Sequence, residues 1–325
     1  MSWQVDFWDV GQGDATTILL PSGEFILVDT GPTPKLGNPL IQWFAQSPPK
    51  TIKSVVITHN DWDHVGGLAS LANNPAQIIR SALFIHDRSA ALLPGKLTSI
   101  FDTLKIREDA GTTETRTLEA GVTIHQDDVF RLVVRYPSTL ATMGAKPNNL
   151  VSAILTLERK SDSAVLVVWG GDAPLGVIGK QCCGSSPAIL DGPHHGCPSD
   201  KPKAWSTFKP ALAQISPACI FISVGRGNIY GHPDSTYVKC AASMGVTICC
   251  SEITEQCSNA GTLERTVFQG SGRLGYPVPP RSKQCRGTMR VLVDAGGVRH
   301  DADQAIFVAR VKSYAKTLCI PSRSA

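Results

Sequence analysis

The sequence predicts an α+β fold in which two β-sheets stack face to face and helices cover their outer sides, an αββα sandwich. Short apolar strands follow one another with glycine-containing turns between them, and helical segments occur without a regular strand–helix alternation. The composition of the 325 residues, 42% hydrophobic and 18% charged with 29 glycines and 22 prolines, indicates a substantial core and many loops. Several of the apolar strands end in loops that carry histidine and aspartate.

The predicted elements follow in chain order. Three short strands come first, at 5–8, 15–20 and 25–28, separated by the turns Gly11-Gln12-Gly13 and Pro21-Ser22-Gly23. The pattern then predicts a helix at 38–46, a strand at 55–57, a helical turn at 68–71, a connecting segment at 76–80, and strands at 131–135, 152–157 and 164–168.

Composition limits the classes of protein that this chain can represent. The net charge of +4 permits an anionic substrate but lacks the concentrated basic character of a dedicated nucleic-acid binder. No apolar stretch approaches the roughly 18 residues that a membrane span needs, and residues 1–6 do not form a secretory signal. We therefore expect a cytoplasmic protein whose ten cysteines are thiols or metal ligands.

The most informative motif is His59-Asn60-Asp61-Trp62-Asp63-His64, which directly follows an apolar strand. Four side chains that bind metal ions fall within six residues. We expect His59 and Asp61 to hold one divalent ion and Asp63 and His64 to hold a second. Two ions held a few ångström apart can activate water and stabilise the leaving oxygen of a phosphoester. A polar surface loop with two histidines by chance is the alternative interpretation.

Three further loops supply the remaining predicted ligands. Asp172 ends an apolar strand after Gly170-Gly171 and is expected to bridge the two ions, although a strand-end aspartate is often a turn former. His194 and His195 follow the apolar segment 189–191, and since neighbouring strand residues point to opposite faces, we expect one of them, with a slight preference for His194, to bind metal. His232 completes the set after another strand.

These residues resemble a known family. The chain resembles the metallo-β-lactamase fold, and within it the soluble hydrolase domain of ComEC-type DNA-internalisation competence proteins. The resemblance covers residues 3–245 and implies the αββα sandwich, a dinuclear site and ester or phosphoester hydrolysis. We therefore expect a catalytic domain at 1–245 and a small Cys-containing C-terminal extension at 246–325. The matching segments are 9–15, 27–31, 59–67, 149–152, 171–172, 194–196, 223–225 and 228–233.

Two departures from the broader fold affect the predicted chemistry. Asp61 stands where many members have a histidine, and Asn149 stands where others have a histidine of a third motif. The oxygen ligand makes Mn²⁺ a rival to Zn²⁺. Asn149 is expected to contact substrate or water instead of metal. The competence proteins also have membrane-spanning segments, which this sequence lacks, so DNA import is not assigned to it.

The predicted function is hydrolysis by a hydroxide formed between two divalent ions, Zn²⁺ or Mn²⁺, most simply of a phosphodiester in DNA or a nucleotide. Asp63, His194, His195 and Asn149 are the predicted catalytic residues. One alternative is hydrolysis of a small ester, lactone or phosphomonoester on the same scaffold. Another is a metal-binding sensor or assembly subunit that acts with partner proteins, whose identity the sequence does not give.

The C-terminal extension contains a second candidate metal site. Cys250, Cys257, Cys285 and Cys319 could together hold a structural Zn²⁺ that orders the Gly- and Pro-rich segment around 258–283. The spacings contain no C-x-x-C pair, so ordinary buried thiols are the alternative.

Overall fold

The structure, a computed structural model, describes most of the chain. The described residues are 2–33, 37–47, 50–84, 95–137, 148–197, 205–254, 268–280, 282–313 and 319. Cys257 lies outside them.

The first sheet combines both ends of the chain. Among the described residues it has nine strands: β1 (Trp3–Phe7), β2 (Ala15–Leu19), β3 (Phe25–Thr30), β4 (Thr51–Val56), β5 (Ile78–Ile79), β6 (Ser81–Phe84), β7 (Glu114–Thr117), β15 (Met289–Asp294) and β16 (Gly297–His300). Their order is β16-β15-β1-β2-β3-β4-β6-β7, with β5 also paired to β4. The C-terminal strand β15 runs antiparallel to β1, so it forms part of the sheet itself.

The second sheet lies opposite. Its seven described strands are β8 (Thr123–Gln126), β9 (Phe130–Tyr136), β10 (Ile154–Arg159), β11 (Val165–Trp169), β12 (Ile189–Asp191), β13 (Cys219–Ile222) and β14 (Thr247–Cys250). They lie in the order β14-β13-β12-β11-β10-β9-β8, and β11 to β14 are mutually parallel. Because parallel strands carry their C-terminal ends to one edge, the loops after β11, β12 and β13 emerge together.

Helices flank the two sheets. The α-helices of the described residues are α1 (Pro39–Gln46), α2 (Trp62–Val65), α3 (Leu68–Asn73), α4 (Gly95–Asp109), α5 (Leu175–Gln181), α6 (Trp205–Ile215), α7 (Ser235–Ser243), α8 (Gly270–Arg273) and α9 (Asp303–Ser313), and 3₁₀ turns occur at Asn148–Val151 and Pro193–Gly196. Among these helices, no segment combines the length and apolar character needed to cross a bilayer.

Side-chain alternation in the first sheet produces the layers. Val28 and Val56 point inward and join a core cluster that includes Leu155 and Val168 of the second sheet. Their strand neighbours, such as Leu27, point outward into a second cluster with residues of α1, α3 and α4. The residues of β3 are all buried because strands flank it on both sides and apolar layers cover both faces. The two sheets and their outer helices confirm the predicted αββα sandwich.

The predicted strands and helices agree with the structure to within a few residues at each end. The backbone around His194 and His195 differs. Strand β12 ends at Asp191, and the two histidines lie in the following 3₁₀ turn with left-handed backbones, φ +48° and φ +52°. The alternation of strand side chains therefore does not govern where the two imidazoles point.

Candidate metal centre

The ends of several strands bring a cluster of histidines and aspartates to one place. His59 and His64 follow β4, Asp172 follows β11, His195 follows β12, and Asp14 lies in the turn between β1 and β2. All five side chains are buried.

Two overlapping groups of side chains within this cluster have the spacing of metal ligands. In the first, ligand atoms of His59, Asp61 and Asp172 all lie within 4.8 Å of one another. In the second, the same is true of Asp14, His64, Asp172 and His195. Asp172 belongs to both. Its Oδ2 lies 3.2 Å from Nε2 of His59, and its Oδ1 lies 3.2 Å from Nε2 of His64. One carboxylate thus faces both groups, which is the arrangement expected of a bridging ligand.

Hydrogen bonds at the Nδ1 atoms, which face away from the centre, orient the histidines. Nδ1 of His64 is 2.8 Å from Oδ2 of Asp29, and Nδ1 of His195 is 2.9 Å from the carbonyl oxygen of Ser223. Because these oxygens only accept, each Nδ1 carries the proton, and in the neutral imidazole Nε2 keeps its lone pair for the centre.

His59 is oriented through a relay. Its Nδ1 is 3.2 Å from Oγ1 of Thr58, and that hydroxyl donates to Oδ2 of Asp29 over 2.7 Å. Asp29, at the end of β3 with φ +55°, therefore orients two of the three histidines. A positive φ at a non-glycine residue is uncommon and here turns the carboxylate toward the ligands.

The atoms that face the centre include several buried atoms with no hydrogen-bond partner. They are Nε2 of His59, His64 and His195, Oδ1 of Asp172, and both carboxylate oxygens of Asp14. Buried polar atoms are almost always satisfied, and this concentration of exceptions at one point fits divalent cations as the missing partners. The donor set, imidazole nitrogen and carboxylate oxygen, suits Zn²⁺ or Mn²⁺.

Carboxylates dominate the electrostatics of the centre. Burial alone would lower the pKa of His64, but Asp172 and Asp29 outweigh it and raise that pKa well above its usual value. For His195, Asp14 outweighs burial in the same direction, so its pKa is also raised. Burial would raise the pKa of Asp172, yet His59 and His64 hold it well below the usual range. These shifts favour protonation of His64 and His195 when metal is absent, and a metal ion must displace those protons.

The other predicted site residues lie around this centre. Oδ2 of Asp63 is 3.1 Å from Nε2 of His195, but Asp63 belongs to neither group. His194 is partly exposed, with Nε2 3.5 Å from Oδ2 of Asp172 and Nδ1 3.5 Å from Nδ2 of Asn149. The His232 ring lies 5.4 Å from the His194 ring and 6.3 Å from the His195 ring, measured between centroids.

Asp14 is the residue that the sequence analysis did not select as a ligand. It lies in the turn segment Gly11-Gln12-Gly13-Asp14, where an aspartate is ordinarily a turn former. Its position in the segment that resembles the competence proteins was the only signal pointing to it. His195, and not the slightly preferred His194, belongs to the second group.

The cysteines predicted to hold a structural zinc belong to neither group. Cys250, Cys285 and Cys319 are buried, and within the described ranges no set of three or more closely spaced ligand atoms contains a cysteine. Since Cys257 lies outside those ranges, the predicted four-cysteine site stays a prediction.

Comparison with known proteins shows which family and which relative this chain is similar to. The family model of the metallo-beta-lactamase superfamily matches residues 8–83. Recombination protein 2 of Haemophilus influenzae is 25% identical over 235 residues, which are 71% of this chain and 25% of that protein. The chain thus spans about a quarter of the length of this relative.

Two solved structures align over most of the chain. Zn(2+)-bound PqqB from Methylobacterium extorquens has a TM-score of 0.46 and 13% identity, covering 77% of this chain and 98% of its own. The isothiocyanate hydrolase from Delia radicum gut bacteria has a TM-score of 0.45 and 15% identity, covering 77% and 95%. The family-model match spans the segment that supplies Asp14, His59, Asp61 and His64. Residues 8–83 of this chain are therefore similar to the metallo-beta-lactamase superfamily, and they include four of the candidate ligands.

Proposed function

We propose that this protein is a metal-dependent hydrolase of phosphodiester bonds that works with two divalent ions, Zn²⁺ or Mn²⁺. Similarity to the metallo-beta-lactamase superfamily supports a hydrolase. The observation that carries the dinuclear assignment is Asp172, whose two oxygens each lie 3.2 Å from a different histidine. A phosphodiester in a nucleic acid is the proposed substrate, and the similarity to a protein named Recombination protein 2 is in keeping with it.

The residues divide into two ligand sets in this proposal. His59 and Asp61 would hold one ion, Asp14, His64 and His195 would hold the other, and Asp172 would contribute to both sets. When bound, two such ions activate water and stabilise the oxygen that leaves phosphorus. The many carboxylates offset the charge of the two cations, whose mutual repulsion would otherwise oppose binding at adjacent sites.

The residues outside the two ligand sets handle protons and substrate. Burial would raise the pKa of Asp63, but the neighbouring imidazole of His195 and the charge of His64 lower it, so Asp63 remains an ionised carboxylate beside His195. His194 is partly exposed beside Asp172 and Asn149, where it can donate a proton to the leaving oxygen. Asn149 can donate a hydrogen bond to a phosphoryl oxygen.

A substrate panel tests the proposal. Metal-free protein should hydrolyse bis(p-nitrophenyl) phosphate after addition of Zn²⁺ or Mn²⁺, and chelator should abolish the turnover. Hydrolysis of p-nitrophenyl acetate or phosphomonoester without diester hydrolysis would favour the alternative of a small-ester hydrolase. Two bound ions per chain without turnover of any of these substrates would favour a metal-binding subunit.

Replacing Asp172, the proposed bridging residue, gives the most direct test of the dinuclear assignment. Asp172→Ala removes the carboxylate that faces both groups, so we expect kcat for the diester to fall by about 10³-fold or more while the circular dichroism spectrum is retained. Asp162→Ala is the matched control, because Asp162 is an exposed aspartate bonded only to its own turn and Arg159. Near-normal turnover of Asp172→Ala with two bound ions would contradict the bridging role.

A further inference from the structure

A cavity of about 360 Å³ opens between two glycine-containing turns. One is the turn between β1 and β2, at Gly11 and Gln12. The other follows β13, from Gly225 to Asn228, and Pro279 and Pro280 close the cavity from the C-terminal segment. The turns approach closely enough that a Cβ on Gly225 would lie 2.6 Å from the backbone nitrogen of Gln12. The volume is in the range of cavities that bind small ligands.

Both walls of this cavity are connected to residues around the candidate metal centre. Gln12 is two residues before Asp14 in the chain. On the other wall, Nδ2 of Asn228 donates to the carbonyl oxygen of His232 over 2.9 Å, and its Oδ1 accepts from the His232 nitrogen over 2.8 Å. The cavity is therefore lined by one residue that closely precedes Asp14 in the chain and by another that is hydrogen-bonded to His232.

Arg226 supplies positive charge to the cavity. Arg226 lines the cavity and is exposed, and its charge interacts with that of Glu252, another lining residue. The acidic lining residue, Glu252, is buried and accepts a hydrogen bond from the Arg226 backbone nitrogen over 2.6 Å. An exposed arginine at the edge of a cavity is suited to bind a phosphate group through paired hydrogen bonds.

The same loop presents an aromatic ring beside the centre. Tyr230 is 66% exposed, and its ring stacks on that of His232 at 5.6 Å between centroids with 17° between planes. The preceding residue, Ile229, is 90% exposed. An exposed aromatic ring held near a phosphodiester site offers a surface on which a nucleobase can stack.

From these features we infer that residues 225–232 form a binding arm for a single-stranded polynucleotide. Arg226 binds the phosphate next to the scissile one, Tyr230 stacks on an unpaired base, and the cavity receives the intervening part of the strand. A duplex is disfavoured, because its bases are already paired and stacked on each other and are not free to stack on Tyr230. This inference rests on the proposed phosphodiesterase function and specifies its substrate.

Turnover of large and small diesters tests the arm. For a single-stranded oligo(dT) substrate, we expect Arg226→Ala and Tyr230→Ala each to raise KM by about five- to tenfold with little change in kcat. Turnover of bis(p-nitrophenyl) phosphate should be unchanged, because this substrate has neither a second phosphate nor a base. Tyr230→Phe, which keeps the ring, and Arg116→Ala, which removes an exposed arginine from β7, are the controls.

Equal losses on both substrates, or no loss on the oligonucleotide, would overturn the inference.

Binding without turnover separates failure of the arm from failure of the proposed function. Fluorescence anisotropy of labelled oligo(dT) in chelator does not depend on hydrolysis. Arg226→Ala should weaken binding and reduce the salt slope by about one, and Tyr230→Ala should weaken binding where Tyr230→Phe does not. If wild-type protein binds in this manner but cleaves no diester, only the phosphodiesterase proposal fails. Binding that is indifferent to both alanine substitutions overturns the arm even when diesters are cleaved.

Discussion

At the level of single residues, Asp14 and Asp61 distinguish the two halves of the candidate metal centre. Asp14 is buried and groups with His64 and His195, whereas Asp61 is partly exposed and groups with His59. Both groups share Asp172. Each proposed ligand set therefore contains one aspartate that the other set lacks. Each of these two aspartates can be replaced by asparagine at nearly constant volume.

Asp14→Asn and Asp61→Asn should each lower the metal content of the protein from two ions per chain toward one, because each change removes a charged ligand from a different group. Metal analysis after dialysis against a weak chelator measures the content. The double variant should lose both ions, and Asp162→Asn should keep both. Two ions retained by Asp14→Asn would remove Asp14 from the ligands.

His194 and His195 should differ although they are neighbours. His195 is fully buried, with Nε2 toward Asp63 and Asp172, whereas His194 is partly exposed next to Asn149. We expect His195→Ala to lose metal. His194→Ala should keep two ions and lower kcat by about 10²-fold, as for loss of a general acid. Metal content and kcat of the two variants provide the comparison, and matching effects in both would contradict the separate roles.

At the level of secondary-structure elements, the turn between β1 and β2 packs directly against the metal loop. The nitrogen of Asp14 donates to the Asp63 carbonyl oxygen over 3.2 Å. Gly13 has φ +136°, and a Cβ there would lie 2.3 Å from the same oxygen. Gly11 in the same turn has φ +76° with no atom within 4 Å of a Cβ position.

Gly13→Ala should therefore destabilise the protein more than Gly11→Ala. A positive φ alone costs an alanine about 1 kcal/mol, and this is the loss expected for Gly11→Ala. Gly13→Ala adds a backbone clash, for which we expect a total of about 3 kcal/mol or more. It should also reduce metal content, because the Asp63 backbone must move. Urea denaturation compares the two variants, and equal losses of stability would contradict the close packing of the turn.

The sequence predicted the elements that are defined by local patterns. The strands from β1 to β4 and from β9 to β11 contain runs of apolar residues bounded by turns, and such runs signal a strand without any tertiary information. His59, Asp61, His64 and Asp172 were selected because each closely follows a strand. The sequence pattern did not show which of these side chains lie together in one ligand group. Helix α2 begins at Trp62, directly after Asp61, and this backbone turn brings His64, but not Asp63, into a group with Asp172.

Two features of the centre depend on contacts that are distant in sequence. Asp14 reaches the cluster because β1 and β2 bring its turn against the loop after β4, some fifty positions along the chain. His195 reaches it through a left-handed backbone at a non-glycine residue, which local propensity does not favour. Neither a turn aspartate nor a pair of histidines reveals such an arrangement in the sequence alone.

At the level of the whole molecule, the two ends of the chain are held together by polar contacts as well as by the β1–β15 pairing. Arg290 of β15 donates to Oδ1 of Asp6 over 2.7 Å, and the Tyr276 hydroxyl donates to Oδ2 of Asp6 over 2.6 Å. Nε2 of Gln284 donates to Oδ2 of Asp9 over 2.9 Å. The predicted boundary at residue 245 stays a prediction, but the segment after it contributes strands to both sheets.

Asp9 should make this connection sensitive to pH. Burial and the nearby charge of Glu252 raise the pKa of Asp9 from 3.8 to about 7, although hydrogen bonds from Gln284, Gly11 and Ser282 lower it in part. The folded protein thus holds a proton that the unfolded chain releases at lower pH. The contribution of Asp9 to stability is therefore greatest below pH 4, declines as pH rises from about 4 to 7, and is constant above that range.

Asp9→Asn should remove this decline, because the amide does not ionise. In the presence of chelator, we expect the stability of the wild type relative to Asp9→Asn to fall between pH 5 and pH 8, by at most roughly 3 kcal/mol at about 1.4 kcal/mol per pH unit. Urea denaturation of both proteins at both pH values measures this difference in stability. The contributions of the other titrating groups cancel in it, because the two proteins share those groups. Asp162→Asn is the control. Arg159 lowers the pKa of Asp162 to about 2, so Asp162 does not titrate between pH 5 and pH 8. Parallel stability profiles for wild type and Asp9→Asn would show that Asp9 is already ionised in the folded protein at pH 5.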